Sequence, residues 1–299
     1  MTARIPEPLT SRDAIKTYRY LRIGMIGAVV LLAASILIER SNVDCWQTSI
    51  SAYYYTPVRA VFVGTMIAVG MALIVYKGRS NWEDVLLNFA GMFAPLVAVA
   101  PTTDVGDCWS VEPRPLPVTD DGSLAGSVVR NIDNNVYALL IAGGAGLLVA
   151  AMVAMVVNRS VRAPLVTGRL GTRISLAATA AVLLLGWWLI ENWDEFYTEA
   201  HGYAAVLMFA FLIGAVIAQV VEHYSERDMV WFRIYAGVAA LMILGVALIP
   251  TTRIFGDHTV FALEAYEIGF FAVYWIAQTA ENWNEKVLGS RETAGAVRT

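Results

Sequence analysis

Val97-Ala98-Val99-Ala100-Pro101-Thr102-Thr103 closes one long apolar run, and Val246-Ala247-Leu248-Ile249-Pro250-Thr251-Thr252 closes another, 149 positions later (250 minus 101). An echo at that distance predicts one four-helix unit written twice. Working outward from it, Ala28-Val29-Val30-Leu31-Leu32 through Leu37-Ile38-Glu39 repeats as Ala180-Ala181-Val182-Leu183-Leu184 through Leu189-Ile190-Glu191, and Val136-Tyr137-Ala138-Leu139 as Val260-Phe261-Ala262-Leu263. An even number of helices per unit makes the two halves parallel, related by an axis along the membrane normal.

The solvent implied is lipid. Apolar residues fill 58% of 299 positions and charged residues 15%, against about 45–50% and 25% in ordinary soluble domains. The expected fold class is an all-α polytopic membrane protein with eight transmembrane helices, near 20–39, 57–76, 85–101, 135–157, 173–192, 201–222, 232–250 and 258–280. These group as a tail 1–19, a first unit 20–157 with a long loop 102–134, a linker 158–172, a second unit 173–280 and a tail 281–299. A net charge of −4 and the absence of basic runs exclude nucleic acid as a partner. Membrane lipids are expected, and further protein subunits of a membrane complex are compatible with the pattern.

With both termini inside, only Arg40, Arg59, Arg114, Arg130 and Arg253 fall outside, so 16 of the 21 basic residues (21 minus 5) lie on the inner side. The first apolar run lacks a cleavage site and reads as a retained helix of a bacterial inner-membrane protein. The same topology brings Cys45 and Cys108 to one oxidising face, where a disulfide is expected. Asn-Trp recurs at Asn81-Trp82, Asn192-Trp193 and Asn282-Trp283, on different faces, and reads as interfacial anchoring.

Chemistry concentrates in the last helix. Glu264 and Glu267 lie about 9 and 13 Å deeper than His258 at 1.5 Å per residue, and an acid at that depth is costly unless it is paired, protonated or wet. Being three apart they share a helical face. Arg59 and the hydroxyl of Tyr53, Tyr54 or Tyr55 are the expected partners, with Glu39, Glu191 and His201 adding polar groups at the same face. No cofactor is predicted. Zinc held by His201, His258 and a carboxylate would leave a position open for water, but the chain contains no His-x-x-x-His or Cys-x-x-Cys spacing. Inward of these residues the helices read as almost wholly apolar.

Asp44-Cys45-Trp46 followed by Ser49-Ile50-Ser51-Ala52-Tyr53-Tyr54-Tyr55-Thr56-Pro57 resembles a group of bacterial multi-pass membrane proteins of unassigned activity. A more distant similarity is to alkaline-ceramidase-like membrane hydrolases, which use three His, a Ser and an Asp around zinc. The chain departs from them in offering two outward histidines and no paired His in its last helix, leaving Ser49 or Ser51 as remote candidates for hydrolysis. The expected role is therefore an outward-facing acidic cavity that binds or handles a lipid or other amphiphile. The alternatives are a proton-coupled small-molecule transporter, with Glu264 and Glu267 as relay, and a metal-dependent membrane hydrolase.

Overall fold

A computed structural model describes residues 11–104, 108, 124–160, 166–252 and 254–283. Eight α-helices follow one another: α1 (Ser11–Val43), α2 (Arg59–Val75), α3 (Asn81–Val99), α4 (Gly126–Ser160), α5 (Val166–Asn192), α6 (Phe196–Glu226), α7 (Met229–Thr252) and α8 (Thr259–Glu281), with single 3-10 turns at Ser51–Tyr55 and Gly256–His258. Six helical segments are long and apolar enough to cross a membrane: Lys16–Val43, Asn81–Val99, Gly126–Val156, Phe196–Glu226, Met229–Thr252 and Gly256–Glu281. Arg59–Val75 and Leu176–Asn192 are shorter apolar helices. Among the described residues the chain is all-helical, with the six long apolar helices of a multi-pass membrane protein.

Helix packing closes a ring. α1 packs on α2, α2 on α3, α3 on α6, α6 on α7, α7 on α8, and α8 returns to α1, while α4 and α5 pair as a hairpin attached at α3 and α6. The extensive α3–α6 contact has no comparable α7–α2 counterpart, so the packing does not display the parallel duplication. Nor do the echoed residues match in setting. Pro101 follows α3 whereas Pro250 lies inside α7, and Glu39 is buried whereas Glu191 is exposed.

Several boundaries move outward from those read in the sequence. α1 begins at Ser11, because Arg12 to Arg22 continue a helix that emerges from the apolar zone, and α4 begins at Gly126, about one helical segment before 135. Most of the long loop, with its three prolines, and the ends of both tails lie outside the described residues.

The tightest crossing has a covalent cause. Pro95 sits within α3 and has no N–H to offer the carbonyl four residues back, which belongs to Gly91. That carbonyl turns to α2, where a side-chain carbon on Gly70 would lie 2.8 Å from it; one on Gly91 would lie 2.6 Å from the Gly70 carbonyl. Two glycines therefore let the backbones touch, the small-residue packing that substitutes for hydrophobic drive between helices in lipid.

Gly70→Val places branched carbons against that carbonyl and is expected to destabilise the fold by about 1–3 kcal/mol, the range for overpacking. A lowered thermal midpoint in detergent checks it; an unchanged midpoint contradicts the crossing.

Candidate functional site

Along α8 the residues Glu264, Glu267, Phe271, Tyr274, Gln278 and Glu281 follow one another at spacings of three and four, which aligns them on a single seam. Five of the six are polar. The seam joins two polar networks, one at the face bearing the disulfide and one at the opposite face.

At the disulfide face the α1–α2 connection folds over the ring as a roof. The Cys45–Cys108 disulfide is formed, with Cα atoms 5.8 Å apart. Gln47 Nε2 donates to the Cys108 carbonyl, the Thr48 carbonyl accepts from Phe261 N at 2.9 Å, and His258 Nδ1 lies 3.2 Å from the Gln47 carbonyl. Tyr55 donates to the Thr102 carbonyl at 3.0 Å. Burial raises the phenol pKa of Tyr53 and of Tyr55, so both rings keep their hydroxyl proton.

Glu264 seals the roof. Its Oε2 accepts from Ile50 N at 2.6 Å and its Oε1 from Ser51 Oγ at 2.8 Å. Ser51 Oγ also lies 2.8 Å from His201 Nε2, and His201 Nδ1 lies 2.7 Å from the Ala100 carbonyl. The line Glu264–Ser51–His201 thus ties α8 to the roof, the roof to α6, and α6 to the end of α3.

The expected partners of the acids are engaged elsewhere. Arg59 donates to Tyr54 Oη at 2.6 Å and stacks 4.2 Å over the Tyr54 ring, because five residues separate it from a tyrosine on the adjoining turn. Glu191 accepts from Tyr137 at 2.6 Å within the α4–α5 hairpin, away from the roof. Glu39 is buried on α1. His201 and His258 are held by separate carbonyls, and among the described residues no three His, Cys, Asp or Glu side chains converge as a metal donor set.

Glu267 lies eight residues into α8 (267 minus 259), about 12 Å from its start. It is 1% exposed, and neither carboxylate oxygen has a hydrogen-bond partner among the described residues. Its Oε1 faces α7 at Gly245, where a side-chain carbon would lie 3.0 Å away. Tyr266, beside it, donates to the Leu241 carbonyl at 2.9 Å and clasps the same stretch of α7.

The opposite face corrects the expectation of apolar inner halves. Glu83, fully buried on α3, accepts from Tyr274 at 2.9 Å and from Gln278 Nε2. Gln278 Oε1 accepts from Tyr76 at 2.8 Å, and Arg22 donates to Tyr76 Oη at 2.6 Å and to the Gln278 carbonyl. Glu281 gathers Arg79 at 2.6 Å, Tyr235 at 2.6 Å and His223 Nε2 at 3.1 Å. Asp84 pairs with Lys77 and accepts from Gly78 N. The sequence held a signal for this: Ser80-x-x-Glu83 is a capping box. Ser80 accepts from Glu83 N at 3.2 Å, while the Glu83 carboxylate reaches back to Arg79 N at 2.6 Å. A reading of Asn81-Trp82-Glu83-Asp84 as interfacial hides it.

The chain matches no family model, no curated protein and no solved structure.

Glu83→Ala strands the buried Tyr274 hydroxyl and Gln278 amide and is expected to cost about 3 kcal/mol, whereas Tyr274→Phe removes one donor and costs about 1 kcal/mol. Chemical unfolding in detergent ranks the two; equal losses contradict Glu83 as the centre of the network.

Proposed function

We propose that this protein is a proton-coupled membrane transporter of a small solute, with eight crossings in a bacterial inner membrane, both termini cytoplasmic, and α8 as the helix that carries the proton. One observation carries the reading: Glu267 is buried and unpartnered between two networks of exchangeable protons that begin on the same helical seam. A carboxylate in hydrocarbon without a donor binds a proton or a cation, and intramembrane acids of this kind line ion and proton pathways. The six-helix ring supplies the enclosure such a pathway needs.

Amphiphile handling at the disulfide face drew its support from helices that are polar at one end only. Buried Glu83, Asp84, His223 and Gln278 at the other end favour a relay that reaches both faces. Hydrolysis at Ser51 has less support, since that hydroxyl is already held between His201 and Glu264.

The test uses proteoliposomes loaded with a pH-sensitive dye and challenged with a panel of small amines, acids and sugars across an imposed pH gradient. Wild-type protein is expected to couple proton movement to at least one solute. Glu267→Gln, close in shape and unable to release a proton, is expected to lose it while folding normally. Unaltered flux in Glu267→Gln, or no flux above protein-free vesicles with wild type, overturns the reading.

A further inference from the structure

The hydrogen bonds around Ser51 fix a proton count. The Ala100 carbonyl can only accept, so His201 Nδ1 at 2.7 Å carries a hydrogen. His201 Nε2 is then a lone pair in neutral imidazole and a donor only in imidazolium. Ser51 has one hydrogen and two neighbouring atoms to satisfy, Glu264 Oε1 and His201 Nε2, each at 2.8 Å.

Two arrangements satisfy every contact. In the first, protonated Glu264 donates to Ser51 Oγ and Ser51 donates to neutral His201. In the second, imidazolium Nε2 donates to Ser51 Oγ and Ser51 donates to the Glu264 carboxylate. They interconvert when the Glu264 O–H bond breaks as a new Ser51 O–H bond forms, while the original Ser51 O–H bond breaks as the Nε2–H bond forms. Charge is neutral over the cluster in both. Remove the proton, and carboxylate and neutral imidazole compete for the single serine hydrogen. Whichever loses then opposes its lone pair to that of Ser51 Oγ across 2.8 Å, inside a cluster where Ser51 is 3% and His201 7% exposed.

We propose that Glu264, Ser51 and His201 hold one shared proton, and that its departure breaks one of the two Ser51 bonds, loosening the Ser49–Tyr55 segment of the roof from α6 or α8, whichever loses the serine hydrogen. The site binds a proton and acts as the latch of the disulfide face. Among the described residues no other charged group takes its place. Arg40 is paired with Asp44, Arg59 with Tyr54, and His258 with the Gln47 carbonyl, while Glu39 is buried on α1, Glu267 lies one turn deeper, and Glu199 of α6 and Asp104 after α3 are exposed. α7 brings no charged side chain to this end among its described residues.

The latch deepens the transport reading by giving it a gate, and its test needs no flux, so either can fail alone. Hydrogen exchange of the Ser49–Tyr55 segment is followed against pH in the full chain in lipid nanodiscs, corrected for intrinsic exchange, alongside nitrogen NMR of His201. Wild type is expected to lose protection about tenfold, the worth of one buried hydrogen bond, as pH rises and one proton leaves. Glu264→Gln keeps a donor toward Ser51 at every pH, so protection stays high and His201 Nε2 stays unprotonated. Ser51→Ala removes the bridge, leaving low protection throughout; should it not fold, the wild-type and Glu264→Gln profiles decide. Coincident pH profiles for those two proteins, or separate proton losses from His201 and Glu264 in wild type, overturn the proposal.

Discussion

A polar side chain in hydrocarbon must find its partner inside the protein, since no water stands ready to replace one. That constraint accounts for the arrangement of α8. Its seam of Glu264, Glu267, Tyr274, Gln278 and Glu281 cannot face lipid, so the helix turns it toward the ring, and the neighbouring elements supply donors at both ends. α8 closes the ring between α7 and α1 and turns toward its inside what has to be hidden. Apolar packing fills the space between: Leu73, Leu87, Met242 and Trp275 are almost wholly buried.

The two ends solve the problem differently. At the opposite face, charge answers charge: Arg79 and Lys77 pair with Glu281 and Asp84, Arg22 reaches Glu83 through Tyr76 and Gln278, and the α2–α3 turn is pinned by both acids of the first α3 turn. At the disulfide face no basic residue among the described ones touches Glu264. A serine, a backbone amide and a histidine do the work there, and each is held by a loop that is itself cross-linked. An arrangement held by ion pairs resists protonation, because the partner charge favours the ionised acid; one held by neutral hydroxyl and imidazole groups depends on where its protons are. The roof is the end better suited to respond.

What was legible in the sequence was set by composition and covalent chemistry. Apolar runs marked the helices, the shared compartment of Cys45 and Cys108 marked the disulfide, and depth along the last helix marked Glu264 and Glu267. Partner choice was not legible. Arg59 was expected to reach an acid, but a tyrosine on the adjoining turn was nearer, and local contacts win over distant ones when both are available. Ser51 was visible only as a remote candidate for hydrolysis within a polar, aromatic segment, since nothing in the chain announces that residues 51, 201 and 264 converge. The buried acids of α3 were masked by their Trp neighbour: Trp82 is 74% exposed while Glu83, the next residue, is fully buried, a reversal that helical geometry permits and composition does not reveal.

Between the two hydrogen-bonded ends stands Glu267, the one buried carboxylate among the described residues with both oxygens unpaired. A residue kept merely for packing at that depth would be cheaper as glutamine or leucine, since an acid there either carries a proton or forfeits solvation with nothing in return. Its position against Gly245 sharpens the point. A side chain at 245 would collide with Tyr266 and crowd Glu267, so α7 gives up bulk where α8 carries charge, and the stretch it leaves bare is the one Tyr266 clasps through the Leu241 carbonyl. Two helices shaped around an unpaired acid, with proton-exchanging groups one turn above it and two turns below, are the physical ground on which the proposed proton pathway rests.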